Sequence, residues 1–211
     1  MEYTIIYYSS NREKPEFEKK IQENILKNSS GLPIISVTQK PMDFGKNICV
    51  GEHANCYHNE YRQIQIALQN TKTPYVLVAE SDFLQPLDYF SFEPKEIGKC
   101  YRYNGVWVLY DNAEEFVLKG NSDGAQLMDR EMWLTMINAW LDENKMWSDG
   151  GDPKRSPPQV RAKTGWGMWS GNPVITFKTK NNITRKTQTI GVTAKELPYW
   201  GTVEEVRKIF L

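Results

Sequence analysis

The chain has little that a metal scaffold, a secreted scaffold or a membrane protein requires. It holds two histidines, three cysteines and no net charge in 211 residues. Cys49, Cys56 and Cys100 are odd in number and form no C-x-x-C pair, which argues against a disulfide framework and suits a reducing compartment. No apolar run approaches the length of a membrane-spanning helix, so no membrane insertion is expected. The opening MEYTIIYYSS pairs an acidic second residue with an apolar run too short for a secretory signal. A cytoplasmic protein is the expectation. His53 and His58 interleave with Cys49 and Cys56 in one short stretch, but structural zinc sites use ligand pairs separated by a hairpin or helix turn. The stretch reads as a loop, and a Cys–His catalytic pair within it is a weaker reading still. Internal repeats and low-complexity tracts are absent.

Acidic residues are missing from one long stretch. Residues 153–195 contain no Asp or Glu but nine Lys and Arg, Arg185 and Lys186 among them, so the rest of the chain is net −9. Neutrality therefore hides a polarised molecule. Trp166 and Trp169 lie within that stretch, and basic groups interleaved with aromatics fit a surface for phosphates and unstacked bases. The plainer reading is a solvated face, with one or two of its cations serving a bound diphosphate.

What the chain does have is apolar and aromatic material, 40% of its residues, with 7 Trp, 11 Tyr and 8 Phe. That is enough for the core of one domain. Tyr3–Tyr8 reads as a strand, Pro15 opens a helix with Phe17, Ile21 and Ile25 on one face, and Leu32–Val37 is a second strand. A glycine-bearing loop through Gly45 and Gly51 follows, then a helix over roughly Asn59–Asn70 and an apolar strand from Tyr75 to Ala79. This is a βαβαβ unit, half of a nucleotide-binding sheet. Further on, Val106–Tyr110 and Ala125–Met128 read as strands and Met132–Leu141 as an amphipathic helix. Asp149–Pro173 reads as a long functional loop, Val174–Phe177 as a strand, and Thr202 with Glu205 as the capping box of a last helix.

The apolar run at Tyr75–Ala79 ends in Glu80-Ser81-Asp82. Ligands of open α/β sheets sit beyond the carboxyl ends of such strands. Two carboxylates spaced i, i+2 on extended backbone can share a divalent cation with a diphosphate, and the plainer alternative is a pair of exposed turn acids.

Four stretches carry a resemblance: Ile5–Arg12, Leu32–Pro41, Tyr61–Ala67 with Ala79–Asp82, and Leu197–Glu205. On these the chain resembles glycosyltransferases of the GT-A fold, in particular small phage-type ones, with Glu-Ser-Asp as a variant of their Asp-x-Asp signature. The resemblance implies an α/β, GT-A-like mixed sheet flanked by helices, with a Rossmann-like N-terminal half. It implies one domain over 1–211, with residues 1–90 binding the nucleotide-sugar and 91–211, including 153–195, facing the acceptor. The donor, a UDP-sugar, would lie against Ser9, Ser10, Asn11, Arg12, Arg62, Glu80, Ser81 and Asp82, with Mn²⁺ or Mg²⁺ on Asp82 and Glu80. No histidine follows the acidic strand, where many GT-A enzymes place a further metal ligand. Asp123, Asp149 and Asp152 are the candidate catalytic bases. Trp166, Trp169, Arg185 and Lys186 would meet the acceptor, expected to be a hydroxymethylated base in phage DNA, which would place the protein in the host cytoplasm. A cell-surface glycan is the alternative acceptor, and a catalytically degenerate nucleotide-binding module the alternative class. A nucleotidyltransferase ranks third, because Ser9-Ser-Asn-Arg12 lacks the glycines of its usual loop.

Overall fold

The computed structural model of the chain describes residues 2–96, 98–141, 145–151, 166–184 and 186–211. Asp152 and Arg185, and residues 153–165 of the basic stretch, lie outside the described residues.

Strand β1 (Tyr3–Ser9) is buried at every position. Side chains alternate across a strand, so its two faces feed two cores. Ile5 and Tyr7 join Phe17, Ile21 and Ile25 of α1 (Pro15–Asn28). Ile6 and Tyr8 face the other way, towards Ile35 and Val37 of β2 (Ile34–Thr38). After β2 come β3 (Lys46–Cys49), α2 (Tyr57–Asn70) and β4 (Tyr75–Glu80). Tyr61, Ile64 and Leu68 of α2 complete the second core, while β4 sends Leu77 and Ala79 to the first and Val76 and Val78 to the second. A strand sandwiched this way must be apolar on both faces, which is why β1 and β4 read as unbroken runs. The sequence reading misses β3. It is a short edge strand of Lys, Asn, Ile and Cys, without the apolar pattern that marks a buried one.

The second half adds β5 (Phe83–Leu84), α3 (Leu87–Phe90), β6 (Cys100–Tyr110), β7 (Phe116–Asp129) and α4 (Arg130–Trp140). Then follow β8 (Trp166–Trp169), β9 (Val174–Lys178), β10 (Thr193–Ala194), β11 (Glu196–Leu197), β12 (Gly201–Thr202) and α5 (Val203–Phe210). The main sheet runs β3-β2-β1-β4-β7-β6-β9-β5. β1 is parallel to β2 and β4, and β7 turns the sheet antiparallel against β4. β7 starts nine residues before the expected Ala125, because register shifts against β6 and Gly120 at φ 89° break its strand pattern. β8 lies inside the expected loop Asp149–Pro173 and pairs with β6. The capping box forms as expected: Thr202 accepts from the Glu205 backbone while the Glu205 side chain accepts from Thr202. Val203, Val206 and Phe210 of α5 then join the core cluster that holds α1.

Gly45 lets the chain enter β3. Its φ is +59°, and a Cβ there would lie 2.6 Å from the Ile34 carbonyl oxygen and 2.7 Å from the Ile34 Cβ. Gly45→Ala is expected to cost about 1–3 kcal/mol, read as a lower urea midpoint at unchanged slope.

Candidate active site

β1 and β4 lie side by side and end together, with Tyr8 opposite Glu80 in the parallel register. A cavity of about 620 Å³ opens at these carboxyl ends. The segment after β1 lines it with Ser9, Ser10, Arg12 and Glu13, and the first turn of α2 with Tyr57, Asn59 and Glu60. Glu80, Ser81 and Asp82 come from the end of β4, Lys119, Ser122 and Asp123 from β7, and Lys178 from the end of β9. The chain after β9 closes the wall with Asn181, Asn182 and Thr184.

Each carboxylate at the end of β4 is held by protein donors. Glu80 Oε1 accepts from the Tyr8 hydroxyl at 2.6 Å. Asp82 is only 5% exposed, and its Oδ2 accepts from Asn182 Nδ2 at 2.6 Å and stands 3.9 Å from Lys178 Nζ. Asn182 is fixed at its other end, where Oδ1 accepts from the Thr179 amide at 2.6 Å. The Phe177 amide donates to the Asp82 carbonyl at 2.9 Å, so β9 and its following loop are stapled to the acidic turn. Glu13 adds a second staple, accepting from Thr179 Oγ1 at 2.5 Å and Asn181 Nδ2 at 3.2 Å.

Crowding carboxylates in a cavity makes ionisation costly. Burial first, then Asp82 and Asp123, push the Glu80 carboxyl up to about 8. Burial, Glu80, Asp123 and Asp82 likewise raise Glu60 well above the usual carboxylate range. Lys119 is lowered, chiefly by burial. Burial also acts against the Lys178 ammonium, but Asp82, Glu80, Asp123 and Glu60 together outweigh it and raise its pKa.

Of the residues singled out in the sequence, Ser9, Ser10, Arg12, Glu80, Ser81, Asp82 and Asp123 come together on this cavity. The others are elsewhere, each for a visible reason. Arg62 turns from the cleft: Nε and Nη2 each donate at 3.0 Å, to the Met146 and Lys145 carbonyls, and Nη1 donates to Gln65 at 2.7 Å. It braces residues 145–148 against α2 and does not line the cavity. Asn11 braces the loop after β1, donating to Glu18 and accepting from the Lys40 amide. The Asp149 side chain is 84% exposed, 3.8 Å from Lys145, and outside the cavity lining. Trp169 is 7% exposed and stacked on Phe92 at 4.6 Å, so it is a core residue with no face for an acceptor. Trp166 sits under the Arg102 guanidinium at 4.3 Å on β8, and Lys186 is exposed; neither lines the cavity.

Glu60, Lys119, Lys178 and Asn182 were missed. Lys178 carries a usable signal, since it ends the apolar run Val174–Phe177 as Glu80 ends Tyr75–Ala79. Lys119 and Asn182 sit in polar stretches that look alike from sequence.

The expected Mn²⁺ or Mg²⁺ would meet Glu80 and Asp82 with one oxygen of each already engaged. Lys178 and Asn182 already occupy Asp82 Oδ2, Tyr8 occupies Glu80 Oε1, and among the described residues no group of three or more His, Cys, Asp or Glu could hold a metal. That holds for the Cys49–His58 stretch too, where His53 instead stacks on Trp147 at 3.8 Å.

No family model matches the sequence, and no curated protein matches it. Solved structures do. S. aureus TarS 1-349 in complex with UDP-GlcNAc has a TM-score of 0.53 at 9% identity, over 85% of this chain and 59% of that one. A glycosyltransferase involved in glycosylating the major capsid of PBCV-1 scores 0.48 at 11% identity, over 81% of this chain and 82% of that one. The inositol-1-phosphate CTP transferase of T. maritima scores 0.48 at 12% identity, over 89% and 92%. The TarS likeness is one of fold: the chain has a GT-A-like α/β sheet flanked by helices. Among the described residues, no helix is long and apolar enough to cross a membrane.

The Glu80 carboxyl gives a test of the charge cluster. Its folded pKa, about 8, stands above the ordinary 4.5, so its share of stability is present at low pH and is lost as pH rises through 8. Glu80→Gln keeps an acceptor for Tyr8 and removes the charge. Thermal unfolding should show the variant melting above wild type at about pH 9 and close to it at about pH 5.

Proposed function

We propose that the protein is a nucleotide-sugar-dependent glycosyltransferase with a UDP-sugar as donor. The observation that carries this reading is the Glu80-Ser81-Asp82 turn on a cavity at the carboxyl ends of β1 and β4, in a GT-A-like sheet. Ligands of such sheets bind beyond the strand ends. The likeness to TarS, whose structure holds UDP-GlcNAc, supports the choice of donor. In this reading Ser9, Ser10 and Arg12 form the rim for the nucleoside, and the diphosphate faces β7 and β9.

In the reaction an acceptor hydroxyl attacks the anomeric carbon, the bond to the diphosphate breaks, and its electron pair leaves with the nucleoside diphosphate. A cavity carboxylate takes the hydroxyl proton. Asp149 is not among the cavity-lining residues and Asp152 lies outside the described residues. Of the cavity carboxylates, Thr179 engages Glu13, Tyr8 engages Glu80 and Asn182 engages Asp82, so Glu60 and Asp123 are the candidates taken forward. We assign the base to Glu60. It lines the cavity, and among the described residues its carboxylate has no hydrogen-bond or ion-pair partner.

An uncharged hydroxyl acceptor, as on a glycan, is preferred to DNA because Trp166, Trp169 and Lys186, the described residues expected to meet DNA, do not reach the cavity. The DNA reading rests on 153–195, of which Trp169 is in the core and Lys186 is off the cavity.

Wild-type protein should bind UDP by calorimetry and slowly hydrolyse UDP-GlcNAc, with water replacing the acceptor. Glu60→Gln should lower that turnover by about 10²–10⁴-fold while UDP affinity stays within about twofold. Unchanged turnover in Glu60→Gln with loss in Asp123→Asn would move the base to Asp123. A wild type with no affinity for UDP or UDP-sugars would end the transferase reading.

A further inference from the structure

We infer that Lys119 and Lys178 hold the donor diphosphate themselves, where an Asp-x-Asp transferase would use a divalent cation, and that donor binding here needs no metal. This inference rests on the proposed donor.

The two ammoniums line the cavity from β7 and β9, and together they bring the two positive charges a divalent cation would bring. Lys178 Nζ stands 3.9 Å from Asp82 Oδ2, with its side chain only 12% exposed. Asn182 takes the same oxygen at 2.6 Å. A cation taking Asp82 Oδ2 would have to displace both.

Lys119 is the second part of the argument. Its Nζ donates to Ser122 Oγ at 2.7 Å, and among the described residues no carboxylate lies within ion-pair distance of it. Burial lowers its pKa, and a nearby anion restores the charged form. A half-buried ammonium with no carboxylate in direct contact is well placed to receive an anion. Lysine suits phosphate as a compact charge with three donors on a flexible stem. As the bond to the anomeric carbon breaks, negative charge grows on the diphosphate beside these ammoniums. Charges fixed in advance where charge develops favour that step.

Asp123, Glu80 and Asp82 act on both ammoniums, and Glu60 acts on Lys178 as well. Lys178 is shared with Asp82, whereas Lys119 is uncommitted. Lys119 should therefore contribute the larger share of affinity for the diphosphate.

Calorimetric titration of UDP and of uridine into wild type, Lys119→Met and Lys178→Met, each in EDTA and in MnCl₂, tests this. The wild-type affinity for UDP should be the same within about threefold in EDTA and in Mn²⁺. Lys119→Met should bind UDP about 10- to 100-fold more weakly and uridine as wild type does, the loss expected of one charge-assisted contact. Thermal unfolding checks each variant; if Lys178→Met fails to fold, Lys119→Met and the EDTA arm still decide. Binding of UDP in Mn²⁺ that disappears in EDTA would overturn the inference and leave the donor reading standing. Wild-type affinity in Lys119→Met would overturn it as well. Absence of UDP binding under both conditions would sink the inference together with the donor reading.

Discussion

The parallel pairing of β1 with β4, both buried along almost their whole length, is the constraint on which the rest of the molecule depends. Each strand sends alternate side chains to two different cores, so charged residues are kept out of both until they end. Polar groups accumulate at the first position where they can reach a cavity, which is the end of both strands at once. Tyr8 meets Glu80 there because register puts them opposite each other, and Asp82 follows one turn later. The carboxylate of β4 stands at its end because every position before it is buried.

Concentrating carboxylates has a cost, and the architecture supplies two answers to it. One is electrostatic: burial and the neighbouring carboxylates raise the Glu80 and Glu60 carboxyls above the ordinary range. The other is the arrival of β9, which ends in Lys178 and delivers Asn182 to Asp82. The loop after β9 is held by side-chain contacts with Glu13, Asp82 and Tyr57. It is thereby tied to the acidic groups that line the cavity. Arg62 and Asn59 serve the wall differently, pinning residues 145–148 to α2.

The N-terminal half was legible because its signals are local. Continuous apolar runs mark β1 and β4, Pro15 and the Phe17–Ile21–Ile25 spacing mark α1, and Thr202 with Glu205 marks α5. The second half was less so. β7 is interrupted by glycine and polar residues, β8 hides between Gly- and Pro-rich stretches, and β3 is a polar edge. The site divides the same way. Glu80 and Asp82 announce themselves at the end of an apolar run. Lys119, Glu60 and Asn182 reach the cavity only through long-range pairing of β7, α2 and β9, which no local pattern encodes. Trp169 shows the converse error: an aromatic within a basic stretch looks like a stacking platform, yet Phe92, Tyr89 and Tyr103 enclose it. Arg62 was misread because helical position alone does not say which way a long side chain turns.

The central claim is that the cavity at the ends of β1 and β4 is a nucleoside-diphosphate site completed by lysines. A crystal structure of the protein with UDP, grown in EDTA, tests it most directly. The account predicts the uridine against Ser9–Arg12 and diphosphate oxygens within about 3 Å of Lys119 Nζ and Lys178 Nζ, a normal charge-assisted hydrogen-bond distance. UDP bound away from these strand ends, or in the cavity with its diphosphate clear of both lysines, would contradict it.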